Sequence, residues 1–241
     1  KAACANCPKV TAIITVDAEV DGYLFYDDIL QKGESLREKS VYRNIKLDGD
    51  APAKILFTSG TTGANKGVVL SNANLAANII NGFDVIMGKP DDTAMSVLPF
   101  HHATEINSHI MVRLGLGLLT YINGNMRNMM TNIKIFKPTC ITIVPMIANM
   151  FYKSIWAGAT KAGKADKLKK GIGLCRFLNF FGIDRTHEMF KDVFEPFGGN
   201  LDMIVCGGAM LNPFVVKGMK DLGVRIENGY GITECGPLIS M

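Results

Sequence analysis

A chain of 241 residues, 48% hydrophobic and 20% charged, carries enough apolar side chain for a sizeable core and too little charge to stay unfolded. Its 26 basic residues are nearly balanced by 22 acidic ones and spread along the chain, so the net charge of +4 is by itself no nucleic-acid footprint, and no nucleic-acid partner is expected. The opening Lys-Ala-Ala-Cys lacks an apolar segment of secretory character, and no apolar run is long enough to span a bilayer, Ile106 to Ile122 being interrupted by His109 and Arg113, so a soluble cytoplasmic protein is expected.

Taken in chain order, Ala12 to Val16 reads as a strand, and Lys54 to Thr58 as a second. Ser71 is a good N-cap for a helix from Asn72 to Gly82. Strands are predicted at Ala94 to Leu98, Leu118 to Ile122 and Cys140 to Val144. Pro145 then suits the first turn of a helix running from Met146 to Trp156. A helix at Thr186 to Phe194, a strand at Met203 to Cys206, a helix at Pro213 to Leu222 and a strand at Val224 to Ile226 complete the series. Several strands are nearly all apolar, as strands covered on both faces are. Alternating β and α units predict an α/β fold of mostly parallel sheets flanked by helices.

Six cysteines are present. Cys140, Cys175, Cys206 and Cys235 stand alone and read as small core residues of a reducing compartment. Cys4 and Cys7 form one C-x-x-C without a second ligand pair at zinc spacing, and read as a chance pair. Lys161 to Lys170 holds five lysines. They read as a solvated face; the sharper alternative is a peripheral contact with anionic membrane lipid.

The stretch Thr58-Ser59-Gly60-Thr61-Thr62-Gly63-Ala64-Asn65-Lys66-Gly67 is the most informative. It reads as a buried-type strand ending at Thr58, then a loop of hydroxyls and glycines closed by Lys66. Glycines let successive backbone N–H groups turn toward one anion, hydroxyls add donors, and a lysine adds a mobile point charge. A polyphosphate needs these groups. The spacing fits neither a Walker A loop, which needs Gly-Lys-Ser/Thr, nor a G-x-G-x-x-G fingerprint.

Three further stretches carry chemistry. In Glu227 to Glu234, Asn228, Gly229, Tyr230 and Gly231 place an aromatic ring between glycines, where it can lie against a purine. Thr233 offers a donor to a phosphate oxygen, and a carboxylate such as Glu234 beside phosphates implies magnesium between them. Gly207, Gly208 and Ala209, after a strand, let a flat base approach the backbone. Leu98-Pro99-Phe100-His101-His102 precedes a helix on which Glu105, His109 and Arg113 recur at i, i+4 spacing, read as a polar stripe and not a catalytic triad. No G-x-S-x-G nucleophile motif occurs.

Together these motifs resemble the adenylate-forming (AMP-binding) superfamily, and among its members the bacterial long-chain fatty acyl-CoA synthetases. One departure is Asn65, where the family usually has proline. The resemblance implies that Thr58, Ser59, Gly60, Thr61, Thr62, Gly63 and Lys66 hold the β- and γ-phosphates of ATP, and that Gly207, Gly208, Ala209 and Asn228 to Gly231 form the nucleotide pocket. It implies Thr233 on the α-phosphate, Glu234 on Mg2+, and His102 as the gate of the acyl pocket. Lys66, His102, Thr233 and Glu234 are then the catalytic residues. The implied reaction activates a carboxylic acid, with a fatty acid favoured, to acyl-AMP and passes it to coenzyme A. Alternatives are another carboxylate adenylator (a peptide-synthetase adenylation domain or an aryl-CoA ligase) and a non-catalytic nucleotide-binding module. Family members continue past the Thr-Glu motif to a ribose-binding aspartate and a C-terminal domain with a catalytic lysine. Residues 1–241 are therefore expected to be part of the large N-terminal domain, without its start and without the C-terminal lid domain, keeping ATP-binding surface but little activity alone.

Overall fold

The computed structural model describes residues 7–34, 36, 44–59, 65–86, 89 and 91–241. The chain divides into two units, residues 1–47 and 48–241. In the first, β1 (Ile14–Thr15) pairs in parallel with β2 (Leu24–Phe25), which leads into α1 (Tyr26–Glu34). The expected strand at Ala12 to Val16 is thus only two residues long.

The second unit opens with a hairpin, β3 (Pro52–Ser59) antiparallel to β4 (Asn65–Ser71). This corrects two expectations. Lys54 to Thr58 is not a strand buried on both faces, since Ile55 and Phe57 point outward at 59% and 75% exposure. Asn65 to Gly67 is strand and not loop, with Lys66 opposite Thr58. The apolar run misleads because alternate residues serve one covered face, where Leu70 is buried, and one open face.

At the end of β4 begins α2 (Asn72–Val85). The Ser71 hydroxyl accepts from the Asn74 N–H at 3.2 Å while the Asn74 carboxamide oxygen accepts from the Ser71 N–H at 3.0 Å. This reciprocal cap satisfies two N–H groups that the first turn leaves without helical partners. Ser71→Ala is expected to lower stability by about 1 kcal/mol, checked by the urea midpoint of the 241-residue chain.

The core is a five-stranded parallel sheet in the order β6-β5-β7-β8-β9, formed by β5 (Thr93–Ser96), β6 (Leu119–Ile122), β7 (Cys140–Ile143), β8 (Met203–Cys206) and β9 (Arg225–Asn228). All four residues of β7 and of β8 are buried, as continuous apolar runs demand in a sheet covered on both sides. One face presents Met95, Ile141, Ile143, Ile204 and Cys206 to the larger core. That core is closed by α4 (Met129–Phe136), α5 (Pro145–Lys161), α6 (Ala165–Phe180) and α9 (Pro213–Asp221). Cys140, Met203 and Val205 of the opposite face meet Ile79 and Phe83 from α2, Ile86 just after it, and Val112 from α3 (Val112–Gly115). A π-helical segment, Thr104–Met111, leads into α3.

The helix expected at Thr186 to Phe194 is two short turns, α7 (Thr186–Met189) and α8 (Lys191–Phe194). Phe190 leaves helical geometry between them and is buried against α6, where a side chain on Gly171 would stand 3.1 Å from its ring. Gly171 is thus a packing notch inside α6, and its low helix propensity hid that helix from the sequence. Cys140, Cys175 and Cys206 are buried as expected, whereas Cys235 is exposed; Cys4 lies outside the described residues. No helix among the described residues is long and apolar enough to cross a membrane.

Candidate active site

From β5 the chain crosses to β6 on one side, then returns past β5 to β7 on the other. Strand order therefore reverses between β5 and β7. In open parallel sheets ligands bind at such a point, beyond the carboxyl ends of the strands. A cavity of about 570 Å3 lies there, within the range of small-molecule sites. Leu98, Pro99 and His102 line it after β5, Val144 and Met146 after β7, Gly207 and Gly208 after β8, and Gly229 to Thr233 after β9.

The glycines are needed where the β8 and β9 connections converge. Gly208 has φ +85°, a left-handed backbone that other residues rarely adopt. A Cβ on Gly207 would come within 3.3 Å of the Gly229 carbonyl, and one on Gly231 would collide with the Pro237 carbonyl. The result is a slot walled by bare backbone, with the Tyr230 ring at its mouth, 63% exposed.

After Tyr230 the chain makes a clasp. β10 (Tyr230–Gly231) pairs antiparallel with β11 (Leu238–Ser240), and a single 3-10 turn, Thr233–Cys235, lies between them. Asn78 of α2 holds this clasp, its carboxamide donating to the Cys235 carbonyl at 3.2 Å and the Leu238 carbonyl at 2.9 Å. Asn107 donates to the Gly236 carbonyl at 3.1 Å and accepts from Lys54 Nζ at 3.3 Å. Partial burial lowers the pKa of Lys54. β4 packs against the same turn, so hairpin and Thr233–Glu234 segment are neighbours. Sequence reasoning missed Asn78, Asn107 and Lys54. A carboxamide amid the apolar residues of α2 was the one available signal.

Beneath the cavity lies a buried polar layer. The expected stripe of Glu105, His109 and Arg113 exists, but all three are fully buried. His109 Nδ1 is hydrogen-bonded to the Thr142 hydroxyl, and Thr142 also lines the cavity. Arg113 Nη2 donates to Cys140 Sγ at 2.6 Å, and its Nε and Nη1 have no partner among the described residues. Burial, helped by the Arg113 charge, pushes His109 down to about 3, so its imidazole is neutral. Burial pushes Glu105 up to about 7; the Ser96 hydroxyl and Leu98 amide offset part of that push without reaching either oxygen at hydrogen-bonding geometry. Burial likewise raises the Cys140 thiol to about 11 and the Cys206 thiol to about 12, which removes both as thiolate nucleophiles.

Of the residues singled out in the sequence, His102, Gly207, Gly208, Gly229, Tyr230, Gly231 and Thr233 share the cavity. Ala209 and Glu234 are exposed beside it, and Asn228 faces a neighbouring shallow groove with Leu211 and Lys217. Thr58 and Lys66 sit opposite each other on the hairpin, outside the cavity wall. Gly60, Thr61, Thr62 and Gly63 lie outside the described residues, as does the side chain of Ser59. Among the described residues no three His, Cys, Asp or Glu side chains gather into a metal cluster. Glu234 is one exposed carboxylate without an ion pair among the described residues. That donor set fits Mg2+ shared with substrate phosphates, the usual mode for this ion.

The topology and the strand-end cavity define a doubly wound α/β protein with a small-molecule site at the carboxyl edge of its sheet. The chain belongs to the AMP-binding enzyme family, which matches residues 2–241. It is 31% identical over 192 residues to long-chain-fatty-acid--CoA ligase 6 of Mus musculus, covering 75% of this chain and 27% of the relative. It is 30% identical over 195 residues to peroxisomal long chain acyl-CoA synthetase 7 of Arabidopsis thaliana, covering 78% and 28%. The chain thus spans little more than a quarter of these relatives. Among solved structures, the A-PCP didomain of the carboxylic acid reductase from Segniliparus rugosus, in complex with AMP, superposes with a TM-score of 0.66 at 20% identity, over 89% of this chain and 28% of that one. The N-terminal domain of FACL13 from Mycobacterium tuberculosis superposes with a TM-score of 0.58 at 18% identity, over 89% and 45%. At those identities the likeness is one of fold.

Proposed function

We propose that this chain carries the nucleotide and acyl surfaces of an ATP-dependent acyl-CoA synthetase whose acid is a long-chain fatty acid. The observation that carries the reading is convergence. Four stretches far apart in sequence, ending β5, β7, β8 and β9, meet at one cavity with His102, the Gly207–Gly208 slot, Tyr230 and Thr233 on its wall. The relatives named as long-chain CoA ligases support the choice of acid.

In this reading the purine lies against Tyr230, with its edge on the bare backbone of Gly207 and Gly208. Thr233 donates to the α-phosphate, where charge develops as a carboxylate oxygen attacks phosphorus and pyrophosphate leaves. Fixed donors aimed at that charge provide most of the stabilisation in such transfers. Lys66 and the hydroxyls from Thr58 to Thr62 hold the departing phosphates. Glu234 would hold Mg2+, which neutralises charge on the phosphate oxygens when bound. His102 stands at the acyl side, and the thiol of coenzyme A then displaces AMP from the acyl-adenylate. The neutral His109 and the buried Glu105 lie below this chemistry, and the layer backs the wall through Thr142.

Calorimetry tests the nucleotide site. The 241-residue chain is expected to bind MgATP saturably, and Lys66→Ala with Glu234→Ala to weaken binding at least about tenfold, two charge-assisted contacts being worth more than about 1.4 kcal/mol together. Unchanged affinity in the double variant removes both residues from the site. Acyl-sulfamoyl-adenosines with hexadecanoyl, acetyl or benzoyl groups then report the acid, and tighter binding of the benzoyl compound would reject the fatty-acid reading.

A further inference from the structure

Helix α6 buries only Leu168, Ile172 and Cys175, a single stripe at i, i+4, i+7 spacing. Its opposite face is divided along its length. The first half carries Lys167, Lys169 and Lys170, all exposed; the second carries Leu174, Phe177 and Phe180, followed by Phe181 and Ile183. Phe180 is 84% exposed and Phe177 and Phe181 are each 62% exposed. Their rings gather into a knob, Phe177 and Phe181 with centroids 5.2 Å apart, Phe180 and Phe181 5.3 Å apart. Core packing does not account for three contiguous phenyl rings facing outward, and such patches mark binding surfaces.

Charge identifies the partner. Residues 161–181 hold six cations, Lys161, Lys164, Lys167, Lys169, Lys170 and Arg176, against one carboxylate, Asp166, a net of +5. Arg176 is paired with Asp221, and Lys169 lies 3.8 Å from Asp166. Lys161, Lys164, Lys167 and Lys170 have no ion pair among the described residues. A second copy of this chain meeting the patch symmetrically would set this charge against itself. A surface of anionic headgroups over an apolar interior matches both halves of the helix at once.

We propose that the outer face of α6 docks on an anionic lipid bilayer, the helix lying flat, the phenyl knob entering the acyl boundary and the lysines resting on headgroup phosphates. This proposal is independent of the nucleotide reading.

Vesicle flotation of the 241-residue chain tests it, using phosphatidylcholine alone or mixed with phosphatidylserine. Binding is expected to the mixed vesicles and to fall with salt, since screened lysines lose their attraction. Phe177→Ser, Phe180→Ser and Phe181→Ser together are expected to reduce partitioning by at least about tenfold, given the transfer free energy of a buried phenyl. Reversing Lys167, Lys169 and Lys170 to Glu is expected to abolish the preference for phosphatidylserine, each lysine contributing about fivefold near such a surface. If the triple Phe variant fails to melt cooperatively, Phe180→Ser alone decides, because that side chain is almost fully in solvent. Failure of the native chain to float with mixed vesicles, or equal flotation of the Phe variants, overturns the proposal. Self-association that the Phe variants abolish, without vesicle binding, assigns the face to a second copy instead.

Discussion

Asn78→Leu is expected to destabilise the chain by about 2–4 kcal/mol and to weaken MgATP binding by at least about tenfold. The asparagine is buried, and its carboxamide is the donor for two carbonyls, those of Cys235 and Leu238. These carbonyls bracket the segment that follows Thr233 and Glu234. Leucine fills a similar volume but offers no donor. Both hydrogen bonds are partly buried, and losing each is expected to cost about 1–2 kcal/mol. The clasp then either keeps two unsatisfied groups or swings outward to hydrate them. Swinging outward carries Thr233 off the cavity wall, which is why stability and nucleotide affinity should fall together. Asn78→Asp keeps the shape and replaces the donor with an acceptor, so it should behave as Leu does. Ser71→Ala, at the cap of the same helix, is the control: it loses about 1 kcal/mol without touching the clasp and should leave ATP affinity unchanged. Urea unfolding and calorimetry on the three variants separate the cases. A stable Asn78→Leu chain with native ATP affinity would remove the clasp from the site.

That clasp marks the limit of what the sequence discloses. Gly207, Gly208, Tyr230 and Thr233, which the structure brings to one cavity, sit at strand ends in short contiguous runs, so they could be picked out as candidates from sequence alone. The central strands were legible because Cys-Ile-Thr-Ile and Met-Ile-Val-Cys are short, largely apolar runs, buried on both faces where helices cover both. Asn78 and Asn107 were not legible. Each acts on a segment more than 125 residues away, 157 positions for Asn78 to Cys235 and 129 for Asn107 to Gly236, and no local pattern encodes that distance. The β3–β4 hairpin was misread because Ile55 and Phe57 suggest burial, whereas the fold leaves their face of the hairpin open. Helix α6 was passed over because Gly171 and Gly173 argue against a helix locally, while packing on Phe190 decides for one. In each case the tertiary contact outweighed the local preference.

The polar layer under the cavity leads to a second expected result, a pH profile that one substitution should tilt. Glu105 has its pKa raised from 4.5 to about 7, and His109 has its lowered from 6.5 to about 3. A raised carboxyl pKa means the native state holds a proton that the unfolded chain releases, so Glu105 imposes no penalty below pH 4.5 and its full penalty above about pH 7. At about 1.4 kcal/mol per unit, that penalty is about 3 kcal/mol. A depressed histidine pKa has the opposite slope. Neutral His109 favours the native state above pH 6.5, and that contribution is lost progressively as pH falls toward 3. Between pH 4.5 and 6.5 the two slopes oppose and largely cancel, which should give the native chain a flat stability profile there. Glu105→Gln removes one slope and keeps the other. The variant should match the native chain near pH 4.5, gain stability steadily on it, and exceed it by about 3 kcal/mol at pH 8. His109→Gln should tilt the profile the other way, gaining on the native chain as pH drops. The groups facing these two side chains are Ser96 and the Leu98 amide for Glu105, and Thr142 and Arg113 for His109, so neither substitution removes a paired carboxylate. Urea midpoints at half-unit pH steps decide the matter. Parallel curves for the native chain and Glu105→Gln across this range would mean that Glu105 is already hydrated, and that the layer beneath the cavity is wet and not sealed.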